Sequence, residues 1–465
     1  MSQTPFDPNK TMVGGPGNPT DLNRTQAMTA GPGGMVGGPT GEVTTAFQVS
    51  PGISMTVING RQATLANGPA REQFVLEISA SDGVALPGLG AAGPRTPLNL
   101  CLVVDRSGSM EGAPLAYAKE ACQMVVDQLG PEDVLSIITF DEKVDVLMAP
   151  QNVTDRERIK QGIAGLTAGY TTDLYGGVQM AAGMLAERRH ASRATRMIVL
   201  SDGEPTSGVK GFAELTELAG ATKAQGITCT FLGFGPDYNE ELIAAMAKRA
   251  GGNYYYIPQP HMLPEIFGKE LRTAMSVAAT NLKLRLKLSR WVELREAAGH
   301  KVAPGSREFT LDLADLERGH SLRQAFDLEF PNHPLGHYRV MNGTLAFEDT
   351  ASGQVRTVDV DFVQEFTADR ERFSQPVDPR VAGALEVSAA SRIVERTIMG
   401  LKTQQINLAE AMAELQKTQM ILTSQGRGQE AQEVTLAMQA IQKGDLGGAE
   451  KTLMGTVVNL DQGKV

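Results

Sequence analysis

Hydrophobic positions along this chain follow three rhythms in succession. From residue 42 to about 82, apolar and polar residues alternate, as in Ser54-Met-Thr-Val-Ile-Asn and Gln73-Phe-Val-Leu-Glu-Ile-Ser, the period-two pattern of half-buried strands. From 98 to about 275, short unbroken apolar runs alternate with segments of helical spacing. The runs predict strands at 98–104, 134–140, 144–148, 196–200, 227–231 and 254–257, and the segments between them predict helices at 115–129, 156–166, 174–188, 212–225, 240–250 and 263–277. Strands of this kind are buried on both faces, so their alternation with helices predicts a mostly parallel sheet covered on each side. Asp141-Glu142-Lys143 is too short for a crossover, so the second and third strands must run antiparallel.

After residue 278 the alternating pattern returns in Leu282-Lys-Leu-Arg-Leu-Lys-Leu, with further strands expected at 308–313, 321–330, 338–348 and 355–366. These are few for a sandwich, so segment 42–82 is expected to supply the missing strands, making the α/β part an insertion. From Asp378 onward the spacing is helical, over 381–401, 408–422, 429–442 and 447–460. The expected organisation is a Gly/Pro/Thr-rich tail over 1–41, β-strands over 42–95, an α/β domain over 96–275, the rest of a β-sandwich over 276–370, and a helical bundle over 378–465.

Composition narrows the function. A chain of 465 residues exceeds one core, and a net charge of −10 argues against nucleic acid as a partner. Cys101, Cys122 and Cys229 lie within apolar periods and read as small core residues. No stretch approaches the about 20 apolar residues of a membrane span, and the first residues lack the basic and apolar regions of a signal peptide. Cytoplasmic residence, without membrane contact, is the expectation. The tail carries a small repeat, Asp7-Pro-Asn-Lys-Thr11 echoed by Asp21-Leu-Asn-Arg-Thr25. Thr11 and Thr25 are candidate phosphorylation sites for a Ser/Thr kinase, which would make the tail a ligand for a phosphothreonine-reading domain.

The chemistry concentrates where the first α/β strand ends. Leu98-Asn-Leu-Cys-Leu-Val-Val runs into Asp105-Arg-Ser107-Gly-Ser109, three oxygen-bearing side chains at alternate positions before a helix with Pro114 in its first turn. Open α/β sheets bind ligands at the carboxyl ends of their strands. Two other strand-to-helix junctions offer Thr172 and Asp202, and neighbouring strands would bring all five residues to one edge. Three neutral hydroxyls and two carboxylates suit a hard cation such as Mg²⁺, which takes about six oxygens and keeps some of its waters. A position left open on the cation would accept an Asp or Glu from a protein ligand.

Asp105-Arg-Ser-Gly-Ser-Met, Thr172-Asp-Leu-Tyr-Gly-Gly-Val and Leu200-Ser-Asp-Gly-Glu-Pro-Thr together resemble the metal-ion-dependent adhesion site of von Willebrand factor A domains. The flanking segments resemble bacterial and inter-alpha-trypsin-inhibitor-heavy-chain-like proteins, in which β-strands bracket that domain. The resemblance implies a Rossmann-like α/β domain with a mostly parallel six-stranded sheet, flanked by a β-sandwich and a C-terminal helical bundle. It also implies that Asp105, Ser107, Ser109, Thr172 and Asp202 hold Mg²⁺ (or Mn²⁺ or Ca²⁺), and that the protein is a binding module and not an enzyme.

Other motifs are weaker. Pro334 and Gly336 deny His333 and His337 the helix of a zinc protease, Gly268-Lys269-Glu270 does not complete a phosphate loop, and Ser201 lacks a nucleophile setting. Arg106 is expected to face solvent or to stand just behind the site's ligands, and Glu111 and Glu204 are candidates for orienting its waters. An alternative function, from a different class, is an accessory partner of an AAA-type ATPase in complex remodelling or metal insertion.

Overall fold

A computed structural model describes residues 45–82, 95–202, 204–235 and 238–465. The strands β1 (Thr45–Ser50), β2 (Ile53–Asn59), β3 (Ala63–Leu65) and β4 (Ala70–Ala80) come first. The α/β part follows as β5 (Leu98–Asp105), α1 (Ala113–Gln128), β6 (Val134–Phe140), β7 (Val144–Asn152), α2 (Arg156–Ala164), α3 (Leu174–Glu187), β8 (Ala194–Ser201), α4 (Phe212–Ala224), β9 (Thr228–Phe234), α5 (Glu240–Arg249), β10 (Gly251–Ile257) and α6 (Leu263–Met275). Then come β11 (Val277–Leu288), β12 (Glu293–Ala297), β13 (Glu308–Asp312), β14 (Leu316–Glu317), β15 (Ser321–Phe330), β16 (Gly336–Asp349) and β17 (Gln354–Thr367). The short α7 (Arg370–Phe373) precedes α8 (Pro379–Lys402), α9 (Leu408–Ser424), α10 (Gly428–Gln442) and α11 (Leu446–Asp461).

The α/β sheet has the order β10-β9-β8-β5-β6-β7. Its five parallel strands end with β7 antiparallel to β6, as the three-residue connection requires. Every residue of β5, β6, β8 and β9 is buried. Alternation divides β5 between two cores. Leu98, Leu100, Leu102 and Val104 pack in the core of α1 and α6, while Cys101 and Val103 pack in that of α3, α4 and α5. Each such Leu or Val contributes about 1.5–3 kcal/mol when fully removed from water. All three cysteines are free and buried, and burial pushes their thiols up to about 12, so they act as packing groups. Because the chain leaves β5 toward β6 on one side and later returns to β8 on the other, the carboxyl end of β5 is a topological switch point.

The remaining strands form two sheets over one core. One has the order β1-β2-β4-β15-β12, the other β13-β11-β16-β17-β3, with β14 on β11. Strand β4, before the α/β part, pairs with β15, after it, over ten residues from Ala70↔Phe330 to Ser79↔Ser321. Met55, Phe74, Leu76 and Ile78 from one side of the insertion meet Leu284, Phe326, Phe347 and Phe362 from the other. The expected helix over 263–277 stops at Met275, and Val277 starts β11. The hydroxyls of Thr96 and Thr350 capture the Val277 carbonyl at 2.6 and 3.0 Å, which turns the chain out of helical geometry.

The junction between sheet and sandwich is ionic. Asp315, between β13 and β14, is buried against Arg196 of β8, with the Lys223 ammonium at 3.8 Å and the Thr228 hydroxyl at 2.9 Å. Burial alone would raise the Asp315 carboxyl, but these cations and the hydroxyl hold it well below the usual carboxylate range. On the other flank α8 to α11 share a core, and Met454 and Val458 of α11 also reach the core beside the edge strand β10. Among the described residues no helix is long and apolar enough to cross a membrane.

Candidate metal centre at the carboxyl edge of the α/β sheet

Asp105 is the last residue of β5, where the ladder to β6 closes at Asp105↔Phe140. The chain then turns. Arg106 N–H donates to the Phe140 carbonyl (2.9 Å), Ser107 N–H to Asp105 Oδ1 (2.8 Å), and a single tight turn covers Gly108–Met110. Gly112, with φ of +84°, leads into α1, whose first turn holds Pro114. This compact turn aims Ser107 and Ser109 back toward the sheet edge.

Asp202 follows β8 directly and meets them. Ser109 Oγ donates to Asp202 Oδ1 at 2.8 Å, Ser107 Oγ lies 3.4 Å from the same oxygen, and the two serine hydroxyls are 3.1 Å apart. Asp105, Ser107 and Asp202 are buried, whereas Ser109 is exposed, so the cluster opens to solvent on one side. Thr172 is buried and fastened through its backbone: its N–H donates to Thr206 Oγ1 (2.9 Å) and its carbonyl accepts from Thr206 N–H (3.1 Å). Next to it, Asp173 caps α3 by accepting from Gly176 N–H at 2.9 Å. Asp105, Ser107, Ser109 and Asp202 are thus joined directly, and Thr172 is held by the segment that follows Asp202.

Reading residues singly missed three supports. Ser201 Oγ donates to Asp105 Oδ2 at 2.7 Å. The parallel register, with Val104 opposite Leu200, carries the signal, because it sets Ser201 beside Asp105. Thr206 anchors Thr172. Asp141, at the end of β6, takes an ion pair from Arg106 at 3.3 Å and places its own carbonyl on Asp173 N–H at 2.8 Å. Arg106 also pairs with Asp145, so its charge is directed along β7. Glu111 and Glu204 are exposed and, among the described residues, stand outside the hydrogen-bonded set. Thr11 and Thr25 lie outside the described residues.

Burial pushes the Asp105 carboxyl up to about 7; hydrogen bonds from Ser107 and Ser201 oppose the rise and the charge of Asp202 adds to it. Two buried carboxylates at one strand edge are costly unless a cation joins them. The donors are all oxygens, and among the described residues no group of three or more His, Cys, Asp and Glu comes together. A cation at this edge would therefore depend on the hydroxyls, and the set fits a hard ion and not Zn²⁺.

A mostly parallel open sheet with a polar cluster at its switch point defines a Rossmann-like fold, a class whose ligand sites fall at that edge. Residues 99–269 match the family model of the von Willebrand factor type A domain, and the chain carries such a domain there. The chain is 29% identical over 275 residues to protein sll0103 of Synechocystis, covering 56% of this chain and 64% of that protein. It is 28% identical over 166 residues to inter-alpha-trypsin inhibitor heavy chain H4 of Bos taurus, covering 34% of this chain and 18% of that one. The chain thus spans less than two thirds of the length of either relative. A solved von Willebrand factor type A protein from Catenulispora acidiphila superimposes with a TM-score of 0.65 over 84% of this chain and 91% of its own, at 16% identity. That likeness is one of fold, and its extent includes regions outside the type A domain.

Proposed function

We propose that the cluster at the end of β5 is a metal-ion-dependent adhesion site and that the protein is a binding module. Asp105, Ser107, Ser109, Thr172 and Asp202 would hold Mg²⁺, with Mn²⁺ or Ca²⁺ able to replace it. When bound, the cation supplies an electrophilic position for an Asp or Glu carboxylate of a partner protein. Ser201 fixes Asp105, Thr206 fixes Thr172, and the exposed side at Ser109 is the partner's approach. The observation that carries this reading is the direct linkage of Ser107 and Ser109 to Asp202, from separate junctions, beside a buried Asp105. Ligand binding without catalysis, in the cytoplasm, completes it. Calorimetric titration with Mg²⁺ is the test: the wild type gives a saturable heat and Asp105→Ala does not, whereas equal heats from both overturn the reading.

A second reading concerns the tail and rests on its repeated Asp-x-Asn-Lys/Arg-Thr element. Phosphorylation of Thr11 or Thr25 by a Ser/Thr kinase would create a docking point for a phosphothreonine-reading domain. Intact-mass measurement of the protein from its native cell should show added phosphate that Thr11→Ala with Thr25→Ala removes. An unmodified mass under all growth conditions contradicts it.

A further inference from the structure

We propose that Tyr170 and the groove beside it form the specificity subsite of the metal centre, receiving an extended acidic segment of a partner protein. The inference rests on the metal-site reading above and adds to it the chemistry of the partner.

Tyr170 is 85% exposed, the most exposed large apolar side chain among the described residues. Its backbone is nevertheless fixed to the metal-site turn. Gly108 N–H donates to the Tyr170 carbonyl at 3.3 Å, and Gly169 N–H donates to the Arg106 carbonyl at 2.6 Å. A solvent-facing tyrosine on a fixed backbone has only two side-chain torsions to lose when a partner covers it, which suits it as an anchor.

An open groove of about 550 Å³ adjoins this ring. Gly112, Ala116 and Lys119 line it from the α1 side, where the small Gly112 and Ala116 leave room for a peptide backbone, and Thr167 and Tyr170 line it from the segment before α3. The Lys119 ammonium donates to the Ala164 carbonyl at 3.0 Å, a neutral acceptor, and among the described residues it pairs with no carboxylate. Lys119 stands seven positions beyond Gly112, about 10 Å along the helix, a span of roughly three extended residues. Charge therefore alternates with apolar surface along the path. One carboxylate goes to the cation, an apolar side chain lies on Tyr170, and a second carboxylate about three to five residues away meets Lys119. Glu111, exposed at the groove mouth, disfavours an unbroken acidic run.

A phage-displayed library of random dodecapeptides, selected on the full chain with Mg²⁺, tests this. The expected enrichment is acid–apolar–acid at that spacing, and a synthetic enriched peptide should bind in Mg²⁺ and dissociate in EDTA. Tyr170→Ala should weaken that peptide about tenfold, Tyr170→Phe should restore most of the loss, and Lys119→Ala should erase the preference for the second acid. Mg²⁺ uptake should be the same in all three variants. Metal-dependent binding indifferent to Tyr170→Ala and Lys119→Ala overturns the subsite and leaves the metal-site reading standing. Binding unchanged by EDTA overturns the metal-site reading itself. Failure to enrich any peptide contradicts the subsite.

Discussion

Gly169 shows how narrowly the turn at the proposed metal site is set. A Cβ at this position would lie 1.9 Å from Asp141 Oδ2, and Asp141 cannot retreat freely because Lys143 N–H holds its other oxygen at 2.9 Å. Gly169→Ala should therefore displace the segment running to Thr172. Its Mg²⁺ affinity should fall about tenfold or more, since a hard cation needs near-ideal oxygen positions, while thermal unfolding shifts little; titration calorimetry with a melting curve checks both. Glu72 makes a different prediction. Burial raises its carboxyl to about 7 despite Arg61 at 3.3 Å. The folded protein thus holds this proton more tightly than the unfolded chain. The resulting stability is fully present below the ordinary glutamate range and is lost as pH rises through about 7. Glu72→Gln should flatten the fall in melting temperature between pH 5 and pH 7.5, and an undiminished slope would contradict the assignment.

At the scale of elements, what the sequence made legible was what local pattern controls. The buried runs of β5 and β6, the antiparallel β6–β7 pair and the helical spacing of α3 and α4 all follow from periodicity over a few residues. β12 escaped because Glu-Leu-Arg-Glu-Ala is largely charged, as suits an edge strand, and β14 has only two residues. The oxygen set of the proposed metal site could be assembled from the sequence because each member lies at a readable strand-to-helix junction. Ser201 and Tyr170 could not, since one depends on strand register and the other on an exposed ring, neither of which leaves a periodic trace. Asp315 was equally hidden: its partners Arg196 and Lys223 lie 119 and 92 positions away (315 − 196 and 315 − 223). Asp315→Ala would strand two buried cations and should cost about 3–5 kcal/mol. Denaturant unfolding measures that loss, and a change under about 1 kcal/mol would show the junction to be solvated.

At the scale of the whole molecule, the type A domain is threaded through the sandwich at a single place. Thr96 N–H donates to the Met275 carbonyl at 2.9 Å, so the incoming and outgoing chains lie side by side, and Arg318 bonds both Thr96 Oγ1 (2.8 Å) and the Val277 carbonyl (3.1 Å). Adjacent ends of this kind allow an insertion to be removed without tearing its host. Replacing residues 97–275 by a short Gly/Ser linker should leave a folded protein with both helix and strand signals by circular dichroism, and an aggregated, structureless product would contradict that reading. The same geometry puts the ionic junction near the amino ends of β8 and β9 and the oxygen cluster at the carboxyl ends of β5 and β8, on opposite edges of the sheet.

As an adhesion site, the oxygen cluster at the end of β5 would bind one divalent cation. Electron paramagnetic resonance of Mn²⁺ titrated into the chain tests it most directly, because free and bound ions give different signals. The wild-type chain should take up one Mn²⁺, displaced by Mg²⁺ and without nitrogen couplings, with weaker uptake by Ser109→Ala and none by Asp105→Ala at the same concentration. Equal uptake by wild type and Asp105→Ala would contradict it.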